Sequence, residues 1–242
     1  PILLTILPIT LTLNMLLFRS SDIKFNIPRY NLNTVLAFSL LPFLSVFGSY
    51  LLCYYNINSI LLLLYGTISV VPIGLVWLNK CKSECWFVVW MLSLSLLLSV
   101  ALAKEYVIGG DAHIEYYFAN TVKAGGVWDP QIPSSKNSLL RVVMLHPIYS
   151  VLLNMSLTDV FRVIHPLQYS LTPVTLYAAF RKQFDKKVVF CSVLFFIFMH
   201  TFFTKLSLNT RMGIAEFFLA LFVLTLLTLF HEEINTRLKA LM

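Results

Sequence analysis

Charge is scarce in this chain: Asp, Glu, Lys and Arg make up only 12% of 242 residues, against 58% apolar ones. A soluble domain carries about twice that share of charge, so a water-soluble globular protein is excluded. Glycine is thin as well, with eight residues, and none builds the phosphate-cradling loop of a P-loop or dinucleotide enzyme. Of four cysteines, Cys81 and Cys85 stand in KCKSEC. One CxxxC without a second pair or a nearby His is a poor zinc site. Cys53 and Cys191 fall in apolar runs and read as small packing residues. Basic residues exceed acidic ones, giving a formal charge of +7, but no basic stripe with interleaved aromatics is present, which argues against nucleic acid.

What the chain has in quantity is long apolar runs. Segments able to cross a hydrocarbon core of ~30 Å, at about 20 residues each, fall at Pro1–Phe18, Thr34–Tyr54, Ile60–Leu78, Cys85–Ala103, Lys187–Phe203 and Gly213–Phe230. A seventh, Gln168–Phe180, is shorter and more polar. The fold class is therefore all-α, a polytopic membrane protein of about seven transmembrane helices. The first run lacks the basic start and small-residue cleavage site of a signal peptide. A chain that begins with Pro and stops at LKALM reads as a piece of a longer protein.

Basic residues in alternate loops orient such a chain. Arg19, Lys24, Arg29, Lys80, Lys82, Arg181, Lys182, Lys186, Lys187, Arg237 and Lys239 make eleven on one side; Lys104, Lys123, Lys136, Arg141, Arg162, Lys205 and Arg211 make seven on the other. The bias predicts the segment 104–167 to be extracytoplasmic in the cell membrane, and Cys81 and Cys85 to be reduced thiols on the cytoplasmic side. Residues 1–84 read as an N-terminal set of spans, and 85–242 as the half that carries the chemistry.

The segment 104–167 does not resemble bilayer filler. Gly109-Gly110, Gly125-Gly126, Trp128-Asp129-Pro130, Pro133, His146-Pro147 and His165-Pro166 cut it into short pieces. Ile114, Phe118, Thr121 and Val122 recur at helical spacing, so Asp111–Lys123 reads as an interfacial helix with that face toward lipid or protein. Arg141–Met155 is a second. Two such helices between spans form a roof.

GGDAHIEYY, at Gly109–Tyr117, places Asp111 and Glu115 four apart on the first helix, where they are surface neighbours. Such a pair can hold a divalent cation, or one carboxylate can act as base while the other tunes it. The plainer alternative has Asp111 capping the helix and Glu115 complementing its dipole. His113, between them, and His146 are candidate substrate contacts. A second cluster, KLSLNTRMGIAE, begins at Lys205 and holds Arg211 and Glu216 where one span ends and the next begins. Arg suits a phosphate through its planar fork of donors; a Glu inside the first turns of a span faces protein or water. The alternative is a snorkelling Arg and a dipole-complementing Glu.

The order of these features, with GGDAHIEYYFANTVKAGGVWDP, MLHPIYSVLLNMSLTDVFRVIHP, RKQFDKK and NTRMGIAEFFLALF, resembles the N-terminal catalytic half of the GT-C superfamily of membrane glycosyltransferases. It is similar in particular to an archaeal family of predicted multi-spanning membrane proteins of uncharacterised function. The resemblance implies transfer, with inversion, of a sugar from a polyprenyl-phosphate carrier to an acceptor on the extracytoplasmic face. By position it assigns Asp111 as base or metal ligand, with Glu115 beside it, and Arg211 and Lys205 to the carrier phosphate. A divalent metal, Mg or Mn, is implied in some subfamilies, and would rest here on Asp111 and Glu216. Glu216 stands alone, without the paired acid those subfamilies carry.

Two rivals come from other classes. A transporter is disfavoured because the spans hold no charged pair near mid-depth and no matched broken helices. A non-catalytic membrane scaffold would use the surface helices to bind a partner, and would tolerate Asn at position 111.

Overall fold

A computed structural model of the chain describes residues 32–77, 85–107, 109–206 and 210–241. The expected span Pro1–Phe18 lies outside them. All regular structure among the described residues is helical. The long elements are α1 (Leu32–Tyr55), α2 (Ser59–Trp77) and α3 (Cys85–Ala101), followed by a roof of shorter pieces: α4 (Gly110–Gly125), α5 (Leu140–Val143), α6 (Leu145–Leu152) and α7 (Leu157–Asp159). A π-helical turn, Val160–Ile164, leads through α8 (His165–Tyr169) into α9 (Leu171–Phe180). Then come α10 (Lys186–Phe198), a second π turn at Thr201–Leu206, and α11 (Thr210–Leu241).

Three helices are long and apolar enough to cross a membrane: α1, α2 and the Thr210–Phe230 part of α11. A fourth crossing is available if Leu140–Leu152 and Leu157–Phe180, bent by 116° at their junction, count as one broken span or re-entrant loop. The bend has local causes: Asn154 sits at φ 52°, and the π turn that follows loosens the helix. The expected span Lys187–Phe203 is interrupted because Met199 adopts an extended conformation, so α10 stops after 13 residues. Cys85–Ala103 yields a helix of 17 residues, at the lower limit for a crossing.

α3 is the axis of the fold. It is apolar all round, and 13 of its residues are buried, a pattern that belongs to a helix surrounded by others. Val88, Val89, Leu92 and Leu97 meet Leu41, Leu64 and Ile68 from α1 and α2, and Phe190 and Ile197 from α10. A serine seam joins α1 to α3: the Ser45 hydroxyl donates to the Ser95 carbonyl at 2.7 Å and Ser49 to the Ser99 carbonyl at 3.3 Å. Both pairs are offset by 50 residues. A constant offset one helical turn apart means that α1 and α3 run parallel, with α2 as the return stroke. Small hydroxylated residues let apolar helices approach closely and bond where no water competes. On the other flank of α3, Ser93 donates to the Ser170 carbonyl at 2.9 Å and the Trp90 indole to the Ser170 hydroxyl at 3.0 Å. At its end, Arg162 donates to the carbonyls of Ala101 and Leu102, both at 3.4 Å, meeting acceptors that a helix terminus leaves open.

Cys85, expected as a thiol, is disulfide-bonded; its expected neighbour Cys81 lies outside the described residues. Cys53 and Cys191 are free.

Candidate functional site

The roof is built around a satellite core of Ala119, Val142, Leu157 and Phe161. α4 starts after Gly109 at φ 112° and ends at Gly126 at φ 68°; both are left-handed conformations that favour glycine. The face of α4 that enters the protein is Ala112, Glu115 and Ala119, all buried. Of the face expected from apolar spacing, Ile114 and Thr121 are exposed. Two alanines bring the helix close to its neighbours, and Tyr116 seals the contact with its ring 5.7 Å from that of Phe161 and its hydroxyl 3.2 Å from Thr158.

Asp111 does not cap α4: the N-cap is Gly109 and has no side-chain bond. Its carboxylate lies between two cations. Lys136 Nζ reaches Oδ1 at 2.8 Å, and Arg211 Nη2 donates to Oδ2. Together they hold Asp111 below the usual carboxylate range, with the Lys136 hydrogen bond the largest cause. Lys136 arrives on the loop between α4 and α5, which Asn137 staples. The Asn137 amide donates to the carbonyls of Asp129 at 2.7 Å and Ile132 at 3.3 Å, and the Trp128 indole donates to the Asn137 carbonyl at 3.1 Å. The Trp-Asp-Pro motif thus positions a lysine.

One turn along α4, Glu115 is wholly buried. The Thr210 hydroxyl donates to its Oε2, while Oε1 has no hydrogen bond among the described residues and lies 3.8 Å from Arg211 Nε. Burial pushes this carboxyl above its ordinary range, opposed by the Thr210 bond and the Arg211 charge. The two acidic and basic motifs, 100 residues apart, therefore form one cluster: Asp111 and Glu115 from α4, Lys136 from the loop, Thr210 and Arg211 from the head of α11. Its two carboxylates sit in opposite environments.

The other expected site residues are elsewhere. His113 is exposed. His146 is buried, its Nδ1 3.0 Å from the Val142 carbonyl and its ring stacked on Phe161 at 4.1 Å. Lys205 is exposed on the second π turn. Glu216 does not pair with Arg211 but accepts the Tyr169 hydroxyl at 2.7 Å. Tyr169 and His165 pack against Gly213, where an added Cβ would lie 3.0 Å from the His165 ring, so α11 crosses α8 at a glycine. Among the described residues no three His, Cys, Asp or Glu side chains gather in one place. Asp111, facing two cations, is itself a poor match for a third.

Sequence reasoning passed over Lys136 and Thr210. Thr210 precedes the singled-out Arg211 and would read as a helix cap. Nothing local marks Lys136, whose role depends on a loop folding back.

No protein-family model, curated protein or solved structure matches this chain.

Proposed function

We propose that the protein is a membrane glycosyltransferase that takes a sugar from a polyprenyl-phosphate carrier, with the cluster at the head of α11 as its active site. The observation that supports this reading is the convergence of Asp111, Glu115, Lys136 and Arg211 where the roof helix α4 meets the start of the apolar helix α11. Glycosyl transfer needs a base for the acceptor and a cation for the leaving phosphate. The acceptor oxygen attacks the anomeric carbon, the bond from that carbon to the phosphate oxygen breaks, and the phosphate leaves with the electron pair. The acceptor proton passes to a carboxylate. Arg211 is suited to the leaving phosphate through its fork of donors. A phosphate that draws Arg211 away also relieves Asp111 of one of its two cations and raises its basicity, so arrival of the donor readies the base. No step is routed through a metal.

The seven-span, GT-C-like arrangement belongs to the same proposal. Its support is the parallel course of α1 and α3 with α2 between them, which suits α3 to a third crossing despite its length. The excess of basic residues in the opposite loops supports an extracytoplasmic position for the cluster. The disulfide at Cys85, near the opposite end of α3, favours the reverse orientation, since disulfides mark oxidising compartments. The charge bias, spread over four segments, outweighs this single bond.

A second reading, a non-catalytic scaffold, is favoured by one observation: both Asp111 oxygens are engaged, so the cluster closes on itself as a latch. The test is release of free polyprenyl phosphate, with water as the acceptor of the sugar, from polyprenyl-phosphate mannose, glucose and galactose by the chain in proteoliposomes. Turnover of one donor, falling about a hundredfold or more in Asp111→Asn while the variant stays folded in detergent, is the expected result. No turnover of any donor, together with a lowered melting temperature in the variant, would leave the latch.

A further inference from the structure

Arg141, outside the cluster described above, heads a network that contains donors and no anion. Its Nη2 donates to Gln168 Oε1 at 3.2 Å, and Gln168 Nε2 donates to the Tyr149 hydroxyl oxygen at 3.1 Å. With its oxygen accepting, Tyr149 still has its own proton to give. The chain of bonds thus begins at a guanidinium and ends at an open O–H. Arg141 Nε is buried and has no hydrogen-bond partner among the described residues. No carboxylate among the described residues lies within ion-pair distance of Arg141, whereas Arg162 has one and Arg211 has two.

A partly buried guanidinium without a counterion is costly, because it has left water and gained no opposite charge. One compensation is visible: the guanidinium lies 5.0 Å over the Phe218 ring. A ring face offers a small fraction of what an anion does. Phe218 also sets the site against α11. It stands eight residues into α11, about 12 Å from the helix start at 1.5 Å per residue, on the segment that is apolar enough to span a membrane.

We propose that Arg141, Gln168 and Tyr149 form an anion site for a phosphate group, in the form carried by a lipid headgroup at the membrane surface. The free donors of the guanidinium and the Tyr149 hydroxyl hold the phosphate oxygens, Gln168 fixes both groups, and the Phe218 face orients the guanidinium plane. The planar fork suits a tetrahedral oxyanion better than a single ammonium does. The place of Phe218 on that apolar segment favours a phosphate that reaches the site with its acyl chain beside α11 over one that diffuses in from water. This site stands apart from the glycosyltransferase reading and requires no sugar donor.

The full chain in detergent is titrated with dioleoyl phosphatidic acid and, separately, with inorganic phosphate, adducts being counted by native mass spectrometry. The wild type is expected to retain phosphatidic acid, with affinity about tenfold or more lower in Arg141→Met, intermediate in Arg141→Lys and a few-fold lower in Tyr149→Phe. Arg141-dependent binding of inorganic phosphate without the lipid would uphold the phosphate site and give it a soluble ligand. Arg141→Met is expected to melt no lower than the wild type without ligand, because it removes an uncompensated charge. Unchanged binding of both probes in Arg141→Met overturns the proposal; if that variant also melts lower, Arg141 is a staple between α5 and α8. Asp111→Asn, which tests glycosyl transfer, is expected to leave phosphatidic acid binding as it is, so failure of either idea is seen without the other.

Discussion

Replacing Thr210 by Val tests whether the head of α11 is locked to α4 through Glu115. Thr210 is 2% exposed and Glu115 is fully buried, so water cannot take over the lost bond. Val keeps the shape of Thr and removes only the hydroxyl. The Glu115 carboxyl is then left with no hydrogen bond among the described residues, since Oε1 already lacks one and Arg211 Nε stands 3.8 Å away. Leaving a buried acceptor unsatisfied costs about 1–3 kcal/mol, so the expected loss is ~2 kcal/mol, or about 4–8 °C in melting temperature for a chain of this size. Thr210→Ser retains the donor and loses one methyl, for about 1 kcal/mol. Thermal melts in detergent would compare these variants in the wild-type and Glu115→Met backgrounds. In Glu115→Met the acceptor is gone, and Thr210→Val should then cost nothing. A melting temperature within about 1 °C of wild type for Thr210→Val, or an equal cost in both backgrounds, would show that no bond couples the two residues.

Two further outcomes are expected. Glu115 has a raised carboxyl, so the folded state holds its proton more tightly than the unfolded chain; stability therefore falls as pH rises from about 4.5 through the folded value. The depressed Asp111 acts only below its ordinary value of 3.8 and does not contribute to that slope. Melting curves should show the decline in the wild type and its loss in Glu115→Gln; an identical slope in both would assign it to other groups. For orientation, single cysteines at the exposed Ser135 and Lys182, in a background free of the native four, are offered a membrane-impermeant maleimide on intact cells. Label at Ser135 alone is expected from the charge bias, and label at Lys182 alone would invert the protein in the membrane.

Helix type and the α4 boundaries were legible from sequence because they depend on local signals. The glycine pairs bracket α4, and the apolar runs Thr34–Tyr54 and Ile60–Leu78 match α1 and α2 closely. The number of crossings was less legible. Hydropathy treats α3 and α2 alike, although one is wrapped by protein and the other largely exposed, and it gives no warning that Met199 turns extended. For the cluster, Asp111, Glu115 and Arg211 stood out as charges beside apolar runs. Their partners did not, because a lysine 25 residues away and a threonine 95 residues away are joined by tertiary packing and follow no period. Arg141 went unnoticed for a similar reason: in sequence it is one more basic residue of a loop, and only the fold removes it from water and leaves it without a carboxylate.

The span of the cluster along the chain also sets a timetable for its assembly. Synthesis runs at about 5–20 residues per second. Lys136 follows Asp111 by 25 residues and emerges within a few seconds, whereas Arg211 follows by 100 and takes about 5–20 seconds. In that interval the nascent chain presents two carboxylates with only the stapled lysine to balance them. Glu115 acquires its threonine last, when α11 enters beside α8 and α9, so the buried carboxyl is sealed by the final helix described here. A ribosome stalled before residue 210 would hold an intermediate whose roof is formed and whose Glu115 still lacks both its threonine donor and the Arg211 charge.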